Sequence, residues 1–228
     1  FVVIGIAITF FILWRKGHIV IAIDFEKPIR NKYKVIDYIQ DAYEKGKYDT
    51  VIRLGNGLSR NLYLEGHYRL RYEVGVLVED AASKTGDNNT KCAALIDYIG
   101  WSLVLLKSID NSRAIGYIKH GIEVAQSISH NYWIAKGNRH LAAIDIMDNN
   151  FEEAIIKLEK TLVYAGKIDE TDEKNEMTAG IYYDYALAYY YLKQFDKASK
   201  FCQMSRELME LSSDKSRICR MFALEGKI

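Results

Sequence analysis

The chain has 228 residues, of which 49% are hydrophobic and 27% are charged, a composition typical of an ordinary folded protein and not of a disordered one. Its 31 basic and 30 acidic residues give a net charge of +1 and are interspersed along the chain, so no strong positive field is present to attract nucleic acid. With only one proline, Pro28, the sequence lacks the commonest helix breaker and predicts an almost wholly helical protein.

The chain opens on an apolar run from Phe1 to Trp14 that carries no charge and is followed directly by Arg15 and Lys16. A helix needs about 20 apolar residues to cross a bilayer, so we expect this run to be the end of a transmembrane helix that begins upstream. Basic residues follow the run instead of preceding it, which argues against a signal peptide and predicts that the rest of the chain faces the cytoplasm. The alternative is a buried helix or strand of a soluble domain.

The segment from His18 to Phe25 is rich in β-branched residues and predicts either a short strand or a continuation of the first helix. We therefore expect a membrane segment over residues 1–16, a linker over 17–32 and a helical domain over 33–228. Cysteines occur only at three widely spaced positions, which suits buried thiols in a reducing compartment better than disulfides. These positions are Cys92, Cys202 and Cys219.

From Tyr33 onward, apolar residues recur at intervals of three and four, the pattern of amphipathic helices. Short turns with polar or glycine residues separate them, so successive helices are expected to pack antiparallel. The predicted helices cover residues 33–45, 48–64, 68–84, 90–108, 112–128, 131–147, 151–166, 174–193, 195–211 and 214–228.

The turns recur at a nearly fixed interval. The residues that follow four of them, Tyr68, Ser112, Phe151 and Phe195, are spaced by 44, 39 and 44 positions. A period near 40 residues is typical of stacked helical hairpins.

Three of these hairpins share a pattern in which a small residue on the first helix is matched by an alanine near the start of the second. The matched positions are Gly100 and Ala114, Ala142 and Ala154, and Ala186 and Ala198. A small side chain lets two facing helices approach closely where a larger one would hold them apart. The pattern therefore predicts tight contact within each hairpin.

This pattern resembles the tetratricopeptide repeat, and the resemblance covers about residues 33–228. It implies an all-α fold, a right-handed α-solenoid of antiparallel helical hairpins, preceded here by the end of a transmembrane helix. The period is longer than the usual ~34 residues and is similar to that of repeats in the sensor arms of bacterial signalling proteins and in peptide-binding regulators. Thr161 and Ser205 stand where the family usually has a second alanine.

The sequence offers no recognisable catalytic, metal or cofactor motif. No two histidines are four residues apart, no cysteine lies at zinc-ligand spacing from a histidine, and no serine sits in a nucleophile elbow. The segment Gly55-Asn56-Gly57 lacks the lysine and the preceding strand of a phosphate loop. We expect no enzymatic activity, no metal and no cofactor.

The resemblance implies a concave surface lined by the first helices of the hairpins. Cationic groups on that surface can hold a carboxylate, and tyrosine rings supply contact area. For Lys136 and Arg139 the alternative is that both are solvated charges that keep the surface soluble. The candidate binding residues are Lys136, Arg139, Ala143, Tyr183, Leu187 and Tyr190.

Taken together, these features predict a membrane-anchored scaffold or sensor of the kind found in bacterial signalling proteins. We expect a single-pass protein whose repeat domain lies in the cytoplasm and binds a protein or peptide. The membrane contact would be made by the run from Phe1 to Trp14, and exposed repeat ends would favour self-association. The alternative is the sensor or regulatory portion of a larger signalling or defence effector. A helical enzyme without short motifs is a third, more distant alternative.

Overall fold

The computed structural model describes residues 10–15, 18–23, 31–106, 111–211 and 218–228. From residue 32 onward, the described part of the chain is built of helices joined by short turns. The helices are α1 (Lys32–Glu44), α2 (Tyr48–Leu64), α3 (Tyr68–Thr85), α4 (Asn88–Ala93), a π-helical segment (Ala94–Trp101), α5 (Ser102–Leu105), α6 (Ser112–Ser127), α7 (Asn131–Met147), α8 (Phe151–Ala165), α9 (Thr171–Tyr191), α10 (Phe195–Leu211) and α11 (Ile218–Glu225).

Before the helices lies a β-hairpin of two strands, β1 (Phe10–Arg15) and β2 (His18–Ile23). The strands pair antiparallel, with Ile12 opposite Ile21. Such β-branched and aromatic residues favour the extended backbone.

The hairpin corrects the expected transmembrane helix over residues 1–16, because residues 10–15 form a strand; residues 1–9 lie outside the described part. For the segment from His18 to Phe25, the strand alternative is right over His18–Ile23. Among the described residues, the helices are all too short or too polar to span a bilayer.

The predicted helix boundaries are largely confirmed. The four helices α3, α6, α8 and α10 begin at the four positions that the period marked. The main difference is at α9, which begins three residues before the expected position because the Glu170 side chain caps it by accepting a hydrogen bond from the backbone N–H of Glu173. The helix expected over residues 90–108 is divided into α4, the π-helical segment and α5.

Each helix packs mainly against its neighbours in the chain and the next but one, and this arrangement is compatible with a helical repeat fold. Small residues allow the contacts as expected: Ala142, Ala154 and Ala198 have no exposed surface. Thr161 and Ser205, which stand where the repeat family usually has alanine, are also buried, and their hydroxyls donate to backbone carbonyls. Ser205 Oγ donates to the carbonyl of Ala179 at 2.6 Å, and Thr161 Oγ1 donates to the carbonyl of Lys157 at 2.7 Å.

Two glycines on α6 provide a matched test of this packing. A Cβ atom added at Gly121 would lie 2.5 Å from Ile96 Cγ1, whereas one added at Gly116 would meet nothing within 4 Å. We expect Gly121→Ala to lower the free energy of unfolding by roughly 1–3 kcal/mol through overpacking. Gly116→Ala should raise it by about 0.5–1 kcal/mol, since alanine loses less backbone entropy in a helix.

Urea unfolding followed by helical circular dichroism measures both effects. Equal changes in the free energy of unfolding of the two variants would contradict the close contact between α6 and the π-helical segment.

Candidate binding site

Side chains from α2, the π-helical segment, α7, α9 and α11 make a set of contacts between helices that we call the inner face. Polar contacts join these helices in pairs: α7 to the π-helical segment, α7 to α9, and α11 to α2. The contacting residues of the inner face are Tyr63, Asp97, Trp101, Arg139, His140, Asp184 and Arg220.

Asp97 is the centre of one part of the inner face. Arg71 from α3 places its Nη2 3.1 Å from Asp97 Oδ2 and donates from Nη1 to the Asp97 backbone carbonyl at 2.8 Å. Arg71 is only 4% exposed, and its Nε donates to Ser59 Oγ at 3.0 Å. These bonds hold a buried guanidinium and a carboxylate in one fixed geometry.

His140 completes this cluster from α7. Its Nε2 lies 3.0 Å from Asp97 Oδ1, and its ring stacks on Trp101 at a centroid distance of 4.3 Å. Burial alone would raise the pKa of Asp97, but Lys136, Arg71 and His140 outweigh it and hold that pKa well below the usual range. Because the ionised carboxylate only accepts, His140 must carry its proton on Nε2 and donate it.

The π-helical segment sets the positions of Asp97 and Trp101, which both reach His140. Wide turns of this kind are rare and occur often at functional sites. Gly100 makes the turn feasible, since a Cβ there would lie 2.9 Å from the carbonyl oxygen of Leu95 and 2.6 Å from Ile118 Cγ1.

A second ion pair joins α7 to α9. Arg139 Nε donates to Asp184 Oδ2 at 2.6 Å, and the two side chains are 17% and 8% exposed. The guanidinium lies flat against Gly180, where an added Cβ would be 2.2 Å from Nη1. A side chain at position 180 would therefore force the Arg139 guanidinium to move from this position.

Beside this ion pair is a pocket between α7, α9, α10 and α11, with an empty volume of about 290 Å³ that includes open solvent at its mouth. It combines two guanidinium groups, one carboxylate, a tyrosine ring and two methionines, so it can contact an anionic group and an apolar group together. Burial, followed by the charge of Asp184, raises the pKa of the Tyr183 hydroxyl, which therefore stays protonated. The lining residues are Arg139, Glu176, Gly180, Tyr183, Met209, Arg220 and Met221.

Of the six candidate residues, Arg139 and Tyr183 are brought together in the pocket. Lys136 is buried, with 8% exposure, in the field of Asp97, so it is neither a solvated charge nor part of the pocket. The other three line no part of that pocket, although all are partly buried. These three are Ala143, Leu187 and Tyr190.

Sequence reasoning missed five of the lining residues. Glu176 and Gly180 precede Tyr183 by seven and three positions on α9, and helical spacing was the signal that could have found them. Met209, Arg220 and Met221 belong to α10 and α11, and no local pattern links them to the others.

The two described cysteine side chains, Cys92 and Cys202, are fully buried, and burial raises the pKa of each thiol to about 11. Thiols of this kind are poor nucleophiles. Within the described ranges, the structure shows no group of three or more histidine, cysteine, aspartate or glutamate side chains placed to hold a metal ion.

Comparison with known proteins gives no family for the chain. It matches no protein-family model, and the search of curated proteins finds no match. The site has to be interpreted from its own geometry.

We expect His140 to make the stability of the fold depend on pH. Burial lowers its folded-state pKa from 6.5 to about 4, despite the opposing effect of Asp97. Between these values the unfolded chain binds the proton and the folded protein does not, so stability falls as the pH falls. The free energy of unfolding should drop by about 2 kcal/mol from pH 7 to pH 5.

Denaturant titrations at several pH values test this. His140→Gln should remove most of the drop, whereas His120→Gln, at an exposed position on α6, should leave it in place. A drop of equal size in the His140 variant would show that other groups cause it.

Breaking the second ion pair should be costly. Arg139→Met removes the guanidinium that pairs with the mostly buried Asp184 carboxylate and should lower the free energy of unfolding by roughly 3 kcal/mol. The double variant with Asp184→Asn should lose less than the sum of the two single losses, because both substitutions remove the same interaction. Urea unfolding of the four proteins measures the coupling, and strict additivity would rule it out.

Proposed function

We propose that the chain is a tetratricopeptide-like repeat domain, a right-handed α-solenoid of antiparallel hairpins, that binds a protein or peptide on its inner face. The regular starts of α3, α6, α8 and α10 and the buried small residues between paired helices support the repeat architecture. In such an array the first helices of the hairpins line the concave side.

The pocket is the observation that carries the binding proposal. Much of its empty space of about 290 Å³ is open solvent, so the enclosed part suits the tips of one or two side chains of a longer ligand and not a whole cofactor. Arg139 and Arg220 would contact an acidic group of the ligand, and Met209 and Met221 an apolar one. We therefore infer that the preferred peptide carries an acidic residue beside an apolar residue.

A role without catalysis and attachment to a membrane through residues 1–16 stay predictions. The uncharged run that ends at Trp14 supports the attachment, although the strand at Phe10–Arg15 means that a simple continuous helix is not its form. The alternative, a sensor portion of a larger effector, is compatible with the same pocket.

The binding proposal predicts a charge-specific loss of affinity. Peptides selected from a random display library against the full chain, purified in mild detergent, should carry the acidic and apolar pair. Arg220→Glu should weaken the best peptide roughly 10-fold or more, since reversing the charge replaces attraction by repulsion. Arg113→Glu makes the same charge change at an exposed position of α6 that does not line the pocket, and it is the matched control.

Fluorescence anisotropy with the labelled peptide gives the dissociation constants. The proposal fails if no peptide is enriched, or if Arg113→Glu weakens binding as much as Arg220→Glu does.

A further inference from the structure

Helix α11 forms one wall of the pocket and depends on other helices for its stability. It has eight residues, too few for a helix that is stable alone in water. Its inward side chains, Met221 and Leu224, are 3% and 4% exposed and pack on Met209 and Cys202 of α10. Undocking α11 would therefore open the pocket and uncover α10.

Arg220, which directly precedes Met221 on α11, connects this helix to α2. Arg220 Nη2 donates a hydrogen bond to the Tyr63 hydroxyl of α2 at 3.1 Å, across 157 positions of sequence. Tyr63 is itself held in place, because the guanidinium of the buried Arg71 lies 5.1 Å from the centre of its ring. The fixed partner of this contact is thus α2, and the short α11 is the part able to move.

We propose that the hydrogen bond between Arg220 and Tyr63 is a latch that keeps α11 docked and so controls access to the pocket. The inference rests on the proposed function in one respect, that the pocket is where the ligand enters. Arg220 and Met221 of α11 line the pocket together with residues of α7, α9 and α10, so a ligand in the pocket contacts α11 and these helices at once. A bound ligand therefore stabilises the docked position of α11.

Cys202 provides a native reporter of the latch. It has no exposed surface and lies directly under α11, with its Sγ 3.5 Å from the carbonyl oxygen of Met221. Cys92 is equally buried, and burial raises the pKa of both thiols to about 11. Because Cys92 is far from α11 in the sequence, it serves as the internal reference. A thiol reagent reaches Cys202 each time α11 undocks.

The test compares alkylation rates at the two cysteines by peptide mass spectrometry, in the folded full chain. Tyr63→Phe removes only the latch hydroxyl and should speed labelling of Cys202 by about 2- to 10-fold, the usual range for one hydrogen bond, with Cys92 unchanged. Tyr68→Phe, in the ring that neighbours Tyr63 at 6.2 Å, is the matched control and should leave Cys202 slow.

A double-mutant cycle identifies the partner. Arg220→Gln should also speed labelling of Cys202, and the double variant with Tyr63→Phe should be no faster than the faster single variant. Unchanged Cys202 labelling in Tyr63→Phe, an equal rise at Cys92, or multiplied effects in the double variant would each overturn the latch.

The labelling experiment needs no ligand, so its result is separate from the fate of the binding proposal. If the display library gives a peptide that binds wild type, adding it at saturation should slow Cys202 labelling in wild type. If no peptide binds, the proposed function is wrong, and the labelling rates of Cys202 still test the latch.

Discussion

The carboxylate of Asp97 is the interaction on which the inner face depends. It accepts hydrogen bonds from Arg71 on α3 and His140 on α7, and it balances the charge of the buried Lys136. Removing it would take the opposite charge away from two buried cations, a loss that costs roughly 3–5 kcal/mol. Three helices distant in sequence are thereby held in one arrangement, and the position of α7 in turn fixes Arg139 at the pocket.

Small residues make this arrangement sterically feasible. Gly100 allows the wide π-helical turn that presents Asp97, and Gly180 provides the surface on which the Arg139 guanidinium lies. A Cβ at either position would meet another atom closer than side chains normally tolerate. The polar contacts of Asp97 and Arg139 therefore depend on close backbone packing at these two glycines.

The candidate site shows how far sequence reasoning reached. Two of the candidate residues that it named, Arg139 and Tyr183, line the pocket. It treated Lys136 and Arg139 as a ligand site or as solvated charges, whereas the structure pairs Arg139 with Asp184 and buries Lys136 near Asp97. The cationic residues along one helix do not reveal which carboxylate on another helix they will meet.

The sequence by itself determined the helices and their turns, since hydrophobic spacing and turn residues act over a short stretch of chain. Only the tertiary structure decided the strand at Phe10–Arg15, the partners of the buried charges and the wall that α11 adds to the pocket. The contact between Arg220 and Tyr63 joins helices 157 positions apart in the chain. Its geometry depends on how all the helices between them pack, and no local sequence pattern encodes that packing.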